Sequence, residues 1–150
     1  MSRSEGISDE LAEFVRDSFG RQGFMRHLGA RIVHLRHGFC WLSAPFRPEL
    51  TQQHGYFHAG VTSALVDSAG GYAGLSTFTV DDSVLTVDFT VNLLAPAIGE
   101  RLEAEATVIK SGRTLAVCQL EAFVLQGSER RHVATGRQTL IRLADTPDRA

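Results

Sequence analysis

The second half of this 150-residue chain consists of four stretches in which apolar and polar residues alternate, separated by short turns. The clearest is residues 83–93, where alternation predicts Leu85, Val87, Phe89, Val91 and Leu93 on one face and Val84, Thr86, Asp88, Thr90 and Asn92 on the other. Further strands are predicted at about residues 102–108, 114–125 and 132–143. Turns this short force antiparallel pairing, because a parallel pair needs a long crossover connection.

The first half adds two helices and a hairpin to this sheet. Apolar spacing predicts an amphipathic helix at about residues 8–20, with Ser8 as its N-cap. A turn at about residues 24–29 and a hairpin at about residues 30–44 follow, and a long apolar helix is predicted at about residues 59–77. The order indicates an α+β fold, in which a curved antiparallel sheet of about six strands wraps one long central helix.

Composition is that of a single globular domain spanning residues 1–150, with 43% hydrophobic residues and a net charge of −2. This balance gives no electrostatic reason to expect nucleic acid or an anionic membrane as a partner. The polar N-terminus does not resemble a signal peptide, and no apolar run is long enough to span a bilayer. We expect a cytoplasmic protein with two buried free thiols, Cys40 and Cys118, and with flexible ends at residues 1–7 and 144–150.

The central helix is unusually slim. Gly70, Gly71 and Gly74 lie in its interior, where each glycine costs about 0.5–1 kcal/mol relative to alanine. Small residues allow close approach, so the glycines indicate either packing against the sheet or a second helix, or clearance for a ligand.

Asp67 is the one acid in this helix, and residues 48–100 contain no Lys or Arg. A buried carboxylate without a partner is costly, so Asp67 has two interpretations. It is either a solvent-facing acid on an exposed side of the helix, or a general base or nucleophile in a cleft.

The start of the same helix offers a second chemical group. Its first N–H groups, near Ala59, lack internal partners and carry the positive end of the helix dipole, which suits them to polarise a carbonyl oxygen. Asp67 lies eight residues later, roughly 12 Å along the axis, too far for both to act on one carbonyl. Two antiparallel copies would bring them together, which predicts an active site shared in a homodimer.

Three stretches, QQHGYFHAGVTSALVDSAGGYA, VDFTVNLLAPA and VIKSGRTLAVCQLE, occur in register within about residues 24–143. Together they resemble the hotdog-fold acyl-CoA thioesterases, in particular the PaaI-like branch of phenylacetate degradation. That branch has an HGG-type motif at the start of its central helix and an acid nine residues after the histidine. His58 and Asp67 have this spacing.

The resemblance implies roles at the centre of the reaction. Asp67 matches the catalytic carboxylate, acting as nucleophile or general base. Gln52 matches an amide that orients the carboxylate, the water or the thioester. The N–H groups of Ala59 and Gly60 match the helix start that polarises the carbonyl, and His58 matches a histidine that supports the loop. Ala59 departs from the motif, since relatives carry glycine there, and its methyl group would affect rate and substrate more than reaction class.

The resemblance also implies substrate contacts and an assembly. Thr86 matches a hydroxyl residue near the reaction centre. The hairpin of Lys110, Ser111, Gly112 and Arg113 matches the part that touches the CoA phosphates, and these cations suit phosphate oxygens. The family implies a homodimer with a continuous sheet, often paired into a homotetramer, with Gln52 and His58 of one chain meeting Asp67 of the other. No cofactor or metal is expected; acyl-CoA is the substrate.

Other interpretations stay open on the sequence. The main alternative is a non-catalytic acyl-CoA-binding domain, a sensor or regulator, although binding alone needs no buried acid. His54 and His58 have metal-ligand spacing, but no third ligand is evident, and hotdog dehydratases place their catalytic residues differently. Four aromatic residues are candidates for an acyl pocket and equally for core or dimer contacts: Tyr56, Phe57, Tyr72 and Phe78.

Overall fold

A six-stranded antiparallel sheet wraps one long helix in the computed structural model, which describes residues 6–148. The helices are α1 (Asp9–Arg21), α2 (Gly23–Leu28) and α3 (Ala59–Leu75), and a short 3-10 helix spans Pro48–Leu50. The strands are β1 (Arg31–Arg36), β2 (Phe39–Pro45), β3 (Ser83–Leu93), β4 (Arg101–Ser111), β5 (Leu115–Gln126) and β6 (Glu129–Leu143). They lie in the order β1-β2-β4-β5-β6-β3. The hotdog architecture predicted above is confirmed.

Most predicted elements occur close to their expected bounds, and the differences have local causes. The stretch predicted as a turn is the helix α2, which ends at Gly29 in the left-handed conformation with φ 67°. The last turn of α3 closes early because Ser76 and Thr77 donate side-chain hydrogen bonds to the carbonyls of Ala73 and Gly74. β6 begins at Glu129, which pairs with Gln126 directly across a tight turn.

The N-terminal helix is held against the body of the protein at both ends. Ser8 caps α1 by accepting a hydrogen bond from the Leu11 N–H, as predicted, and Ile7 is buried. Asp148 accepts hydrogen bonds from Ser18 and Arg21. Flexibility of residues 1–7 and 144–150 stays a prediction, and residues 1–5 and 149–150 lie outside the described residues.

The three interior glycines of α3 have different neighbours. A Cβ added at Gly70 would overlap Oε1 of Gln138, and one added at Gly74 would overlap Cδ1 of Leu140. A Cβ at Gly71 would meet nothing within 4 Å. Two of the three glycines therefore allow the helix to approach the sheet, and the third borders open space.

Gly74→Ala is expected to destabilise the fold by about 1–3 kcal/mol, because the added methyl group would overlap Cδ1 of the fully buried Leu140 and displace that side chain. Helix propensity alone predicts the opposite sign. Gly20→Ala in α1 is the matched control, since nothing lies within 4 Å of its added Cβ, and it should stabilise by about 0.5–1 kcal/mol. Urea unfolding measures the free energy of unfolding of both variants. Equal changes in the two would contradict this packing argument.

β3 does not keep the strict alternation that its sequence predicts. Thr86 pairs with Leu140 and Phe89 pairs with Gln138, with a β-bulge between Thr86 and Asp88. Since Leu140 and Gln138 are two residues apart on β6, they share a face, and so do their partners Thr86 and Phe89. The prediction that put Thr86 opposite Phe89 is wrong. The extra residue turns Thr86 toward α3.

β3 also forms one edge of the sheet. Leu85, Val87, Phe89 and Leu93 are all exposed on this eleven-residue strand. A long apolar edge strand with unpaired backbone groups is a template for pairing with another chain.

Candidate active site

A cavity of about 450 Å³ lies between α3 and β3. One side of α3 contributes Ala64, Asp67, Ser68 and Gly71, and β3 contributes Val84, Leu85 and Thr86. Gln22, Phe24 and Met25 close the cavity from the side of the N-terminal helices. The small side chains of α3 that border it make room beside Asp67, which explains why Gly71 has no neighbour where a Cβ would lie.

Asp67 is held by two neutral donors. The hydroxyl of Thr86 donates to Oδ1 at 2.8 Å, and Nε2 of Gln138 donates to the same oxygen at 2.7 Å. Within residues 6–148, Oδ2 has no hydrogen-bond partner and the carboxylate has no ion pair. Asp67 is partly buried and borders the cavity. Oδ2 is the oxygen left available to act on a bound molecule.

Gln138 was not among the residues singled out from the sequence. It lies on β6 and is fully buried, and its Nε2 also donates to the Asp67 carbonyl oxygen at 3.1 Å. One signal for it exists in the sequence. Alternation along β6 places Ala134, Gly136, Gln138 and Leu140 on the inward face, where a glutamine is unusual.

The start of α3 is organised by His58. Its Nδ1 accepts a hydrogen bond from the Gly60 N–H at 2.8 Å, and its carbonyl accepts from Val61. An added Cβ at Gly60 would lie 2.9 Å from Nδ1, so this cap requires glycine. This hydrogen bond occupies the Gly60 N–H. The Ala59 N–H, the first of the helix, has no acceptor among the described residues.

Gln52 holds the loop before α3. Its Oε1 accepts from the backbone N–H groups of His54 and Tyr56. Since both neighbours are donors, the oxygen must face them, and the amide NH2 group points away from the loop. Gln52 and Ala59 together border a second cavity of about 160 Å³, with Leu93 and Val133. That the Ala59 methyl group affects rate and substrate stays a prediction.

The structure does not bring all the predicted residues together in one chain. Asp67 and Thr86 border the cavity between α3 and β3, whereas Gln52 and Ala59 border the second. His58 and Gly60 border a third, of about 480 Å³. The separation agrees with the roughly 12 Å expected along α3 between Ala59 and Asp67.

The hairpin between β4 and β5 presents two unpaired cations. Lys110 and Arg113 are exposed and form no ion pair in the part of the chain that the structure describes. Ser111 contacts Thr77, just beyond α3, with 2.8 Å between the hydroxyl oxygens. The Arg113 carbonyl accepts from Arg142. The hairpin is thus anchored while its cationic side chains stay accessible.

The candidate aromatic residues have different environments. Tyr72 borders the Asp67 cavity, where burial raises the pKa of its hydroxyl against the opposing effect of hydrogen bonds with Ser18 and Gln22. It therefore stays neutral near pH 7. Tyr56 and Phe57 border the second cavity, and the ring of Phe57 packs against Phe46. Phe78 lies against the core.

The histidine pair weighed as metal ligands has other contacts. Among residues 6–148, no three His, Cys, Asp or Glu side chains lie close enough together to hold a metal ion. The ring of His54 stacks on Tyr56, and that of His58 caps α3. None of the helices formed by these residues is sufficiently long and apolar to span a membrane.

Comparison with known proteins identifies the family of this chain. The sequence model of the thioesterase superfamily matches residues 54–130. These residues include the loop that contacts Gln52, together with His58, Asp67 and the cationic hairpin. The chain belongs to the thioesterase superfamily. It is a thioester hydrolase, as predicted.

Individual relatives extend the match over almost the whole chain. A thioesterase family protein from Silicibacter pomeroyi is 48% identical with a TM-score of 0.88, covering 89% of this chain and 98% of its own. Human acyl-coenzyme A thioesterase 13 is 28% identical over 89% of this chain and 94% of its own. The E. coli PaaI protein, at 21% identity, shares the fold with a TM-score of 0.84, covering 94% and 99%.

Proposed function

We propose that this thioester hydrolase acts on acyl-CoA and that Asp67 carries the reaction. The observation that supports this most is the carboxylate itself, which two neutral donors hold at one oxygen while the other oxygen is free beside a cavity of about 450 Å³. The name of human acyl-coenzyme A thioesterase 13, which is similar over most of the chain, favours acyl-CoA as the substrate class.

The proposed reaction uses the two groups that the helix provides. The Ala59 N–H and the helix dipole polarise the thioester carbonyl. As a general base, Oδ2 of Asp67 takes a proton from water, the hydroxide attacks the carbonyl carbon, and the C–S bond breaks to release the acid and the CoA thiolate, which takes up the proton from Asp67. As a nucleophile, Oδ2 attacks the carbon directly and the C–S bond breaks to expel the CoA thiolate; water then hydrolyses the resulting anhydride to the free acid and the Asp67 carboxylate. Gln52 would add its amide NH2 as a donor to the carbonyl or the water.

The proposed site needs two chains, because Ala59 and Asp67 lie too far apart in one. The apolar edge strand β3 supports a homodimer in which a second copy extends the sheet. Pairing there would set the two α3 helices side by side, with Gln52 and Ala59 of each facing Asp67 of the other. Lys110 and Arg113, which have no acidic partners among the described residues, would bind the CoA phosphates.

The active protein is expected to be a dimer or a dimer of dimers in solution. Burial of the exposed apolar residues of β3 supplies the driving force. Light scattering during size-exclusion chromatography measures the mass. Glu13→Gln, at an exposed position on α1, is a control that should leave the mass unchanged. A monomer that still hydrolyses thioesters would contradict the shared site.

A thiol-release assay on straight-chain and aromatic acyl-CoAs tests the reaction directly. The protein's own cysteines do not interfere, because burial raises the pKa of Cys40 and of Cys118 to about 12, and both stay protonated at assay pH. Hydrolysis of any member of the panel supports the proposal. Tight acyl-CoA binding without hydrolysis would favour the sensor or regulator instead.

A further inference from the structure

The hydrogen bonds around Gln138 point to a residue that serves the site without touching the substrate. We propose that Gln138 is the positioning residue for Asp67, fixing its side chain so that Oδ2 faces the cavity. This inference rests on the proposed role of Asp67. Gln138 reaches Asp67 from the sheet, 71 residues away in sequence, and donates to both Oδ1 and the backbone carbonyl of the same residue.

The orientation of the Gln138 amide follows from its neighbours. The Asp67 carboxylate and carbonyl oxygens are acceptors only, so the group that meets them must be the NH2. Nε2 also lies 2.9 Å from the hydroxyl oxygen of Thr86. Thr86 gives its single proton to Oδ1 of Asp67, so toward Gln138 it is an acceptor. Gln138, Thr86 and Asp67 thus form a closed triangle of hydrogen bonds, in which the two N–H groups of Gln138 are shared among three acceptor oxygens.

The other end of the amide shows that this arrangement is maintained at a cost. Oε1 of Gln138 is buried and has no hydrogen-bond partner. A buried acceptor without a donor is unfavourable, and an apolar side chain would avoid the cost. Oε1 lies over Gly70, where any Cβ would overlap it. Gly70, a poor helix former, leaves room for the unpaired Oε1 of Gln138. Both features direct the NH2 group of Gln138 toward Asp67.

The triangle determines which carboxylate oxygen is available. Both donors act on Oδ1, so rotation of the carboxylate would break two hydrogen bonds at once. Oδ2 therefore stays directed toward the bound thioester or water. Loss of Gln138 leaves only Thr86 to hold the carboxylate, and a small misplacement of a reacting group is sufficient to slow a reaction strongly.

Gln138→Met tests the proposal, because methionine keeps the length and shape of glutamine but has no donor. We expect kcat to fall by about 100-fold while KM changes by less than about threefold, since the substrate contacts remain. Gly70→Ala should act from the helix side and also lower kcat, because its methyl group displaces the amide. The double variant should be no slower than the slower single variant, since both changes remove one interaction.

Three comparisons separate positioning from stability and from the role of Asp67. Gly20→Ala, a glycine in α1 with open space around it, should leave kcat unchanged. In an Asp67→Asn background, adding Gln138→Met should not slow the residual rate further. If Gln138→Met lowers the melting temperature but keeps the wild-type kcat, Gln138 is structural and the inference is wrong. That outcome leaves the proposed function intact, whereas full activity of Asp67→Asn would overturn both.

Discussion

Asp67→Asn is expected to lower kcat for acyl-CoA hydrolysis by about 1000-fold, with KM changed by less than about threefold. Asparagine keeps the size of the side chain, and its oxygen can still accept from Thr86 and Gln138. The position of Oδ2 then holds an amide nitrogen, which neither takes a proton from water nor attacks a carbonyl carbon. The fold should therefore persist while the chemistry is lost.

Thiol release with saturating acyl-CoA measures this effect, and circular dichroism checks that the variant is folded. Asp17→Asn is the matched control, since Asp17 lies on α1 and forms only a surface ion pair with Arg21. It should hydrolyse at the wild-type rate. Wild-type turnover by Asp67→Asn would exclude Asp67 as base or nucleophile.

Two inactive variants are expected to restore activity when their chains are mixed. Gln52→Ala should lower kcat by about 100-fold, because the donor that its amide provides to the carbonyl or the water is removed. Unfolding and refolding Asp67→Asn together with Gln52→Ala forms mixed dimers. One of the two sites in each mixed dimer then takes Asp67 from one chain and Gln52 from the other, both intact.

Random pairing predicts recovery of about a quarter of the wild-type activity per chain, because half of the dimers are mixed and each has one intact site. Each variant refolded alone is the control and should stay inactive. If each site lay within a single chain, mixing would restore nothing, and the separation of the two cavities would need another explanation.

Much of the fold could be predicted because its signals are local. The Ser8 cap, the alternation in β4, β5 and β6, and the apolar length of α3 each depend on neighbouring residues. The acid in α3 and its spacing from His58 are also local, and this acid borders the cavity between α3 and β3. Of the two interpretations that the sequence left open for the glycines, packing against the sheet applies to Gly70 and Gly74.

The contacts that define the site are not local. Gln138 reaches Asp67 across 71 residues, and neither segment alone shows the need for the other. The different environments of Gly70 and Gly71 depend on which side of α3 meets β6. The use of the Gly60 N–H by His58 depends on loop geometry that residue types do not determine.

Because of the β-bulge in β3, the number of residues in this strand affects the geometry of the site. Thr86 meets Asp67 because one additional residue separates it from Phe89 in the pairing with β6. A strand of the same length without the bulge would put the threonine hydroxyl and the phenylalanine ring on opposite faces, whereas a homologous strand shorter by that single residue would keep both on one face with no bulge. When such sequences are compared, the placement of a gap in this strand therefore carries as much information about the carboxylate's partner as the identity of the aligned residue.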